Sequence, residues 1–564
     1  MFRRPKKPPL EYDEIFMDGS NLPSFNLGRM EGRIELPITK RNVYAIGIIF
    51  FLIALGFLFK LFNLQVIEGA DYRLRSDTNR IDEGVIIAER GVIYDRFGEL
   101  LAWNEPDFNG DHDFPVRAYT DRDGLGQLIG YVSYPQKDSN GFYYRTDYLG
   151  RNGLESAYES VLHGEKGRVL IEVDALGDII SSSAVEVPTA GVNLTTSIDA
   201  ELSEAMHDII ATSTAQSGSR SGAAAIMNVH TGEIIAMTSF PSYDPEVMAD
   251  GDNAELIVQY TTDERFPFLN KVIAGAYTPG SIVKPFVAYA ALAEDVISPD
   301  KIIVSTGEIV IPNPYNPSNP SIFRDWRAHG KMTMKEALAF SSNVYFYIIG
   351  GGFDDQDGLG ITKMYKYFSL FGFGKTTDIN LANEQPGTVP NPEWKQELFD
   401  DDWRLGDTYF TAIGQYGWQV TPLQMLVAYG AIANDGKLFV PHLVKDKVGD
   451  YQDLNLDTAA LDIVREGMHM TTNYPGGTAR SLEKSYVTVA AKSGTAELDY
   501  AKARLNTWAA GFWPYEDPQY AFIVLMENAP YDNSLGGTRV MGDIMDWMSE
   551  NRRDYLGIED VLSE

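Results

Sequence analysis

Tyr277-Thr278-Pro279-Gly280-Ser281-Ile282-Val283-Lys284-Pro285-Phe286-Val287-Ala288-Tyr289-Ala290-Ala291-Leu292-Ala293 runs from a Pro-Gly turn directly into a stretch that is apolar on every side. A helix with no polar face is buried, and burying it needs a large domain. Ser281 falls at the helix N-terminus, and Pro285 is still in the first turn, where a missing N–H costs little. Positions 281 and 284 then share a face one turn apart, so the Lys284 amine reaches the Ser281 hydroxyl. Burial beside a positive helix end lowers a lysine pKa toward that of a general base. Ser-x-x-Lys recurs at 298–301 and 481–484, but there it lies in a polar, Pro-containing connection and ahead of a strand. The setting carries the reading, and the tetrapeptide alone does not.

Two further motifs follow in order. Ser341-Ser342-Asn343 lies between 334–340 and the apolar 344–348, at an expected helix junction. A hydroxyl there can pass a proton between lysine and leaving group, and an Asn can hold a peptide amide. Lys492-Ser493-Gly494-Thr495 ends a strand-like run, with Gly494 allowing close backbone approach. Lys492 with the Ser493 and Thr495 hydroxyls suits a carboxylate, and a peptide could add to this strand antiparallel. The three together describe serine acyl transfer with lysine as base.

Outward from the motifs, 222–227 and 233–238 are apolar runs flanking an Asn228–Gly232 hairpin loop, and three strand candidates come late, at 486–491, 507–513 and 520–526. Strands at both ends with helices between predict an α+β domain, residues 216–552, whose antiparallel sheet is closed by N- and C-terminal strands and flanked by helices. Residues 313–319 and 528–537 read as loops at a cleft rim. Residues 65–215 hold short mixed elements (84–87, 91–96, 169–173) with a turn at Asp95-Arg96-Phe97-Gly98, and are expected to form a pedestal. Residues 553–564 read as a C-terminal tail.

Composition narrows the chemistry. With 564 residues, two or three folded regions are expected. No cysteine is present, so disulfides and thiol catalysis are excluded, and the seven scattered histidines give no metal-ligand spacing. Neither metal nor cofactor is expected. The net charge of −32 argues against nucleic acid. Acidity is uneven: residues 1–41 hold eight basic and six acidic side chains, whereas the chain beyond Leu64 holds 38 and 73.

Residues 43–59 form a charge-free run of 17, extended by Leu61, Phe62 and Leu64. As a helix, 43–64 spans about 33 Å, enough for a bilayer core, with Lys60 able to reach the interface. A long leader and the lack of a small-residue cleavage site favour an uncleaved anchor over a signal peptide. Residues 1–42, rich in Pro, Gly and polar residues, read as a disordered cytoplasmic tail. Arg73, Arg75 and Arg80 follow the span while Lys40 and Arg41 precede it, so the charge bias for orientation is weak.

The three motifs resemble those of the penicillin-recognising serine acyl transferases. The likeness is to class B penicillin-binding proteins and covers about residues 40–550. Arg90-Gly91-Val92-Ile93-Tyr94-Asp95-Arg96-Phe97-Gly98 and Gly150-Arg151-Asn152-Gly153-Leu154-Glu155-Ser156-Ala157-Tyr158 are similar to the pedestal signatures of that class. Gly414-Gln415-Tyr416-Gly417 with Val420-Thr421-Pro422-Leu423-Gln424 is similar to its late catalytic pattern. Residues 343–347, 371–374 and 403–424 resemble the elongation-type subfamily, penicillin-binding protein 2, more than the division-type one. Only about 45 residues separate Asn104 from Gly150, a smaller head than such enzymes often carry, and Ser493 stands where threonine is frequent.

The resemblance implies a D-Ala-D-Ala transpeptidase that cross-links peptidoglycan stem peptides through a Ser281 acyl-enzyme, with β-lactams as inhibitors. It implies Lys284, Ser341, Asn343 and Lys492 as catalytic partners, Ser493, Gly494 and Thr495 as substrate-binding, and the N–H groups of Ser281 and Thr495 as oxyanion hole. It further implies a single-pass protein of the cytoplasmic membrane with its catalytic domain outside, a SEDS-class (RodA-like) glycan polymerase and elongation scaffold proteins as partners. A division-type role, a D,D-carboxypeptidase and a non-enzymatic β-lactam sensor are the alternatives. A β-lactamase needs no pedestal, and a Ser/His/Asp hydrolase is disfavoured because no Gly-x-Ser-x-Gly occurs.

Overall fold

The computed structural model describes residues 40–78, 81–107, 112–138, 143–173, 179–313, 316–498, 503–533 and 535–558. The tail expected over 1–42 lies outside them except for its last three residues, and so do residues 559–564 and Arg80. The chain divides into two units, Met1–Asp82 with Ile171–Ser182, and Glu83–Leu170 with Ser183–Glu564. Most of the expected pedestal lies in the same unit as the catalytic region.

In the first unit, helix α1 (Lys40–Phe62) runs on through a π turn at Asn63–Ile67, and none of its residues is buried. Among the described residues it is the one helix long and apolar enough to cross a membrane. Among the described residues nothing covers its faces.

The second unit is built on a five-stranded antiparallel sheet. Its strands are β1 (Ser221–Asn228), β2 (Ile234–Phe240), β3 (Ala490–Glu497), β4 (Arg504–Trp513) and β5 (Tyr520–Pro530), in the order β2-β1-β5-β4-β3. The closing pair is β1 with β5, from Ser221 opposite Glu527 to Asn228 opposite Tyr520. The helices used below are α2 (Ala200–Ser217), α3 (Lys284–Ala293), α4 (Met334–Phe340), α5 (Asn343–Gly351), α6 (Pro422–Ala433), α7 (Thr458–Asn473) and α8 (Gly537–Asn551). Ala223, Ala225 and Met227 face a core shared with α3 and α6. Ala224 and Ile226 face a second core with Met206 and Ile210 of α2 and Val540 and Ile544 of α8. Burial on both faces explains why these strands read as continuous apolar runs without alternation.

The three late strands differ in extent from the sequence reading, and β4 begins earlier, at Arg504. β3 starts at Ala490 and continues to Glu497, so Lys492-Ser493-Gly494-Thr495 lies inside a strand and not at its end. The apolar pattern stops at Ala491 because Lys492 meets Ser341 and Ser493, Thr495 and Glu497 line a cleft, while pairing with β4 sustains the strand. β5 likewise runs to Pro530, into the span expected as a rim loop.

The pedestal signatures meet in one buried ion cluster. Arg90 Nε donates to Glu155 Oε2 (2.6 Å) and Arg117 Nε to Glu155 Oε1 (2.8 Å), all three side chains being fully buried. Arg90 also reaches Glu159 (2.6 Å), Arg117 reaches Gly91 O (2.9 Å), and Asn104 Nδ2 donates to Arg90 O (2.6 Å). Strands Ile93–Tyr94 and Leu100–Glu105 form the expected hairpin around the turn at 95–98. At the other end, Tyr555 and Leu556 in the 3-10 turn Arg553–Leu556 are buried in the second core, so the folded part extends past 552 into the expected tail.

Candidate active site

Gly280 sets the shape of the nucleophile turn. Its φ is +59°, and a Cβ there would stand 2.5 Å from Thr495 O. Gly494 takes the other side of this contact, since a Cβ on it would lie 2.8 Å from Ile282 Cγ2 and 3.0 Å from Pro279 O. The pair of glycines lets the turn rest directly on β3. Trp508 Nε1 donates to Thr278 O (3.1 Å), Tyr429 OH on α6 to Ile282 O (2.8 Å), and Gly280 N to Gly414 O (2.9 Å). Gly280–Val283 is a 3-10 turn, and α3 proper begins at Lys284. Ser281 is half-buried and opens on a cleft of about 980 Å³.

Lys284 is fully buried. Its Nζ donates to Ser341 O (2.7 Å) and Asn343 Oδ1 (2.8 Å), with Ser341 Oγ at 3.4 Å. Ser341 caps α4 in the left-handed conformation, φ +57°, and Ser342 caps α5 by accepting from Tyr345 N (3.3 Å). That kink, the expected helix junction, turns both the carbonyl and the hydroxyl of Ser341 toward Lys284. Lys492, also fully buried, donates to Ser341 Oγ (2.8 Å) and Ser493 O (2.9 Å). One hydroxyl thus lies between two amines.

Burial pushes Lys284 down to about 7, with Asp325 opposing it in part. Burial and the neighbouring Lys284 push Lys492 well below the usual lysine range. Lys284 is therefore available as a neutral amine near neutral pH. Lys492 shares the buried face of β3 with Gly494 and Ala496 and meets the cleft through Ser341. Ser493 and Thr495, on the other face of the strand, line the cleft.

Two residues of the arrangement escaped the sequence reading. Asp325 accepts from Ser342 Oγ (2.6 Å), Asn343 N (2.9 Å) and Val344 N (3.0 Å), and so fixes the start of α5. Thr478, after α7, accepts from Ser493 Oγ (2.6 Å). Neither stands in a recognisable motif, and both are brought in only by folding. Away from the cleft, Asp123, His207 and Asp208 bring ligand atoms within 4.8 Å of one another, with both acids exposed.

The Penicillin binding protein transpeptidase domain model matches residues 222–546, and the Penicillin-binding Protein dimerisation domain model matches 112–196. The peptidoglycan D,D-transpeptidase MrdA of Escherichia coli K12 is 29% identical over 601 aligned positions, which cover 88% of this chain and 92% of that one. Penicillin-binding protein PBP2 of Helicobacter pylori, solved in complex with MreC, superposes with a TM-score of 0.69 at 26% identity, covering 84% of this chain and 99% of its own. A chain from a peptidoglycan synthase complex, solved for its coordination of polymerization and crosslinking, gives a TM-score of 0.69 at 25% identity over 93% of this chain and 99% of its own. All three motifs fall inside the matched transpeptidase domain, which takes in more than half of the sequence, and the chain belongs to the penicillin-binding protein transpeptidases.

Proposed function

We propose that Ser281 is the nucleophile of this peptidoglycan D,D-transpeptidase, with Lys284 as its base and Ser341 as the proton carrier to the leaving group. The observation that supports this most is the Ser341 hydroxyl held between the Lys284 and Lys492 amines, in the cleft that Ser281 also lines. Ser281 Oγ attacks the carbonyl carbon of the penultimate D-Ala and gives its proton to neutral Lys284. The C–N bond to the terminal D-Ala breaks, and that proton passes through Ser341 to the departing amine. An amine of a second stem peptide then attacks the ester, and its proton returns to Ser281 Oγ by the same route. The N–H groups of Ser281 and Thr495 stabilise the oxyanion, Asn343 holds the substrate amide, and Ser493 and Thr495 receive the terminal carboxylate.

The likeness to MrdA and PBP2 supports a role in cell elongation and shape. The relative solved with MreC supports an elongation scaffold protein as partner, and the synthase-complex relative supports a glycan polymerase, which the family resemblance narrows to the SEDS class. The exposed apolar α1 supports a single-pass anchor in the cytoplasmic membrane, with 65–215 as pedestal and 216–552 as transpeptidase domain on the outer side. Mass spectrometry of the intact protein after exposure to a labelled β-lactam tests the nucleophile. A slowly released adduct on Ser281, absent from Ser281→Ala, is the expected result. Label that persists in the variant, or sits on Ser298 or Ser481, refutes it.

A further inference from the structure

At the end of the cleft marked by Thr478 stands a cation that the acyl-transfer chemistry does not use. Trp326 lines the cleft and is 55% exposed, and the guanidinium of its neighbour Arg327, also exposed, sits over the indole, 4.5 Å from the ring centroid. Phe340 borders the same guanidinium, with its ring centroid 5.9 Å away. Arg327 Nε donates to His329 Nδ1 (3.3 Å), while Nη1 and Nη2 have no hydrogen-bond or ion-pair partner among the described residues. A Cβ on Gly476 would lie 3.8 Å from Nη2, and two residues further on is Thr478, which lines the cleft and accepts from Ser493. Arg327 therefore borders the cleft through both Trp326 and the 476–478 turn. Lys284 and Lys492 are buried, Arg324 is drawn to Glu308 (3.5 Å), and the Asp325 carboxylate is turned to the start of α5. A stacked arginine whose fork is open, in a chain of net charge −32, is suited to a carboxylate brought from outside.

Which carboxylate this is follows from the order of the reaction, and this step rests on the acyl-transfer reading proposed above. A donor peptide antiparallel to β3 points its C-terminus toward the N-terminal end of that strand, past Ser493 and so toward Thr478. Loss of the terminal D-Ala vacates that end. The second half-reaction runs the first in reverse: the acceptor amine bonds to the acyl carbon, the ester bond to Ser281 Oγ breaks, and the amine proton passes to Ser281 Oγ. The acceptor nitrogen thus takes the place of the departed amine, and the rest of the acceptor leaves the cleft at the vacated end, past Thr478 toward Trp326 and Arg327. We infer that Arg327 is a specificity-determining residue of the acceptor site, selecting acceptor peptides that carry a free carboxylate, with Trp326 holding its guanidinium in place.

The test compares two acceptors, N-acetyl-Glu-Lys-amide and N-acetyl-Gln-Lys-amide, which share the lysine ε-amine and differ in one carboxylate. Full-length protein in detergent receives an ε-acetylated N-acyl-Lys-D-Ala-D-Ala donor with one acceptor or the other, and the cross-linked product is measured against hydrolysed donor. Wild type should form about three- to fivefold more product with the Glu acceptor, as an exposed charge pair allows. That ratio should shrink with added salt, stay above one in Arg327→Lys, fall to about one in Arg327→Gln and invert in Arg327→Glu. Each ratio is taken within one protein, so a general loss of activity does not disturb it. Equal yields in wild type, a ratio that salt leaves unchanged, a ratio shared by wild type and Arg327→Gln, or no product with either acceptor overturns the inference while leaving Ser281 as nucleophile intact. No acylation of wild-type Ser281 by the donor or by a labelled β-lactam overturns the underlying reading, and the inference with it.

Discussion

Burial makes Lys284, ordinarily cationic at neutral pH, available as a neutral amine. Its amine has lost all contact with water and keeps three polar contacts, two of them to Ser341. With its pKa down at about 7, the neutral fraction grows with pH through that value. Acylation by a β-lactam should accordingly rise about tenfold per pH unit below 7 and level off above it, as stopped-flow rates across pH would record. Lys284→Arg keeps the charge and cannot shed the proton, so acylation should fall by about two orders of magnitude or more at every pH. A flat pH profile, or a folded Arg variant with near-normal rates, would remove Lys284 from the base role. The recognition of this residue came from sequence, through the Pro-Gly turn before it and the all-apolar helix after it. That Lys492 faces inward did not, since strand direction and register decide which face a residue takes.

At the scale of elements, the junction of α4 and α5 depends on a residue outside both helices. Asp325 takes up the first N–H groups of α5 and the Ser342 hydroxyl, and its charge holds the Lys284 pKa higher than burial alone would leave it. Asp325→Ala strips the cap and should lower stability by about 1–3 kcal/mol, visible in thermal unfolding. It should also shift the midpoint of the acylation pH profile below that of wild type, because the opposing charge is gone. A purely structural cap would lower the melting temperature and leave the midpoint alone. Ser341 and Asn343 were legible because a helical run ends and another begins around them. Asp325 was not, because its partners lie 17 to 19 residues on, and no local periodicity links them.

Across the whole molecule, the pedestal signatures at Arg90 and Glu155, 65 residues apart, turn out to be the two halves of one ion cluster. Removing Glu155 leaves the Arg90 and Arg117 guanidiniums buried with their main counter-charge lost. Glu155→Ala should cost about 3–5 kcal/mol, a large share of ordinary domain stability, and should open residues 83–170 to limited proteolysis before the catalytic sheet is attacked. Unchanged protease resistance would count against the cluster as the pedestal's anchor. By itself the sequence determined the apolar span at α1, the buried helix after Ser281, the strands that begin and end the catalytic sheet, and the order of the three motifs. Each of these rests on hydrophobic periodicity or turn chemistry acting over a few residues. Only the tertiary structure decided that Lys492 points at Ser341, that Asp325 and Thr478 support the motifs, that Arg117 completes the ion cluster, and that Glu497 shares the cleft with Thr495. Those relations join residues distant in the chain, and they follow from sheet register and from packing around a common core, which no local pattern encodes.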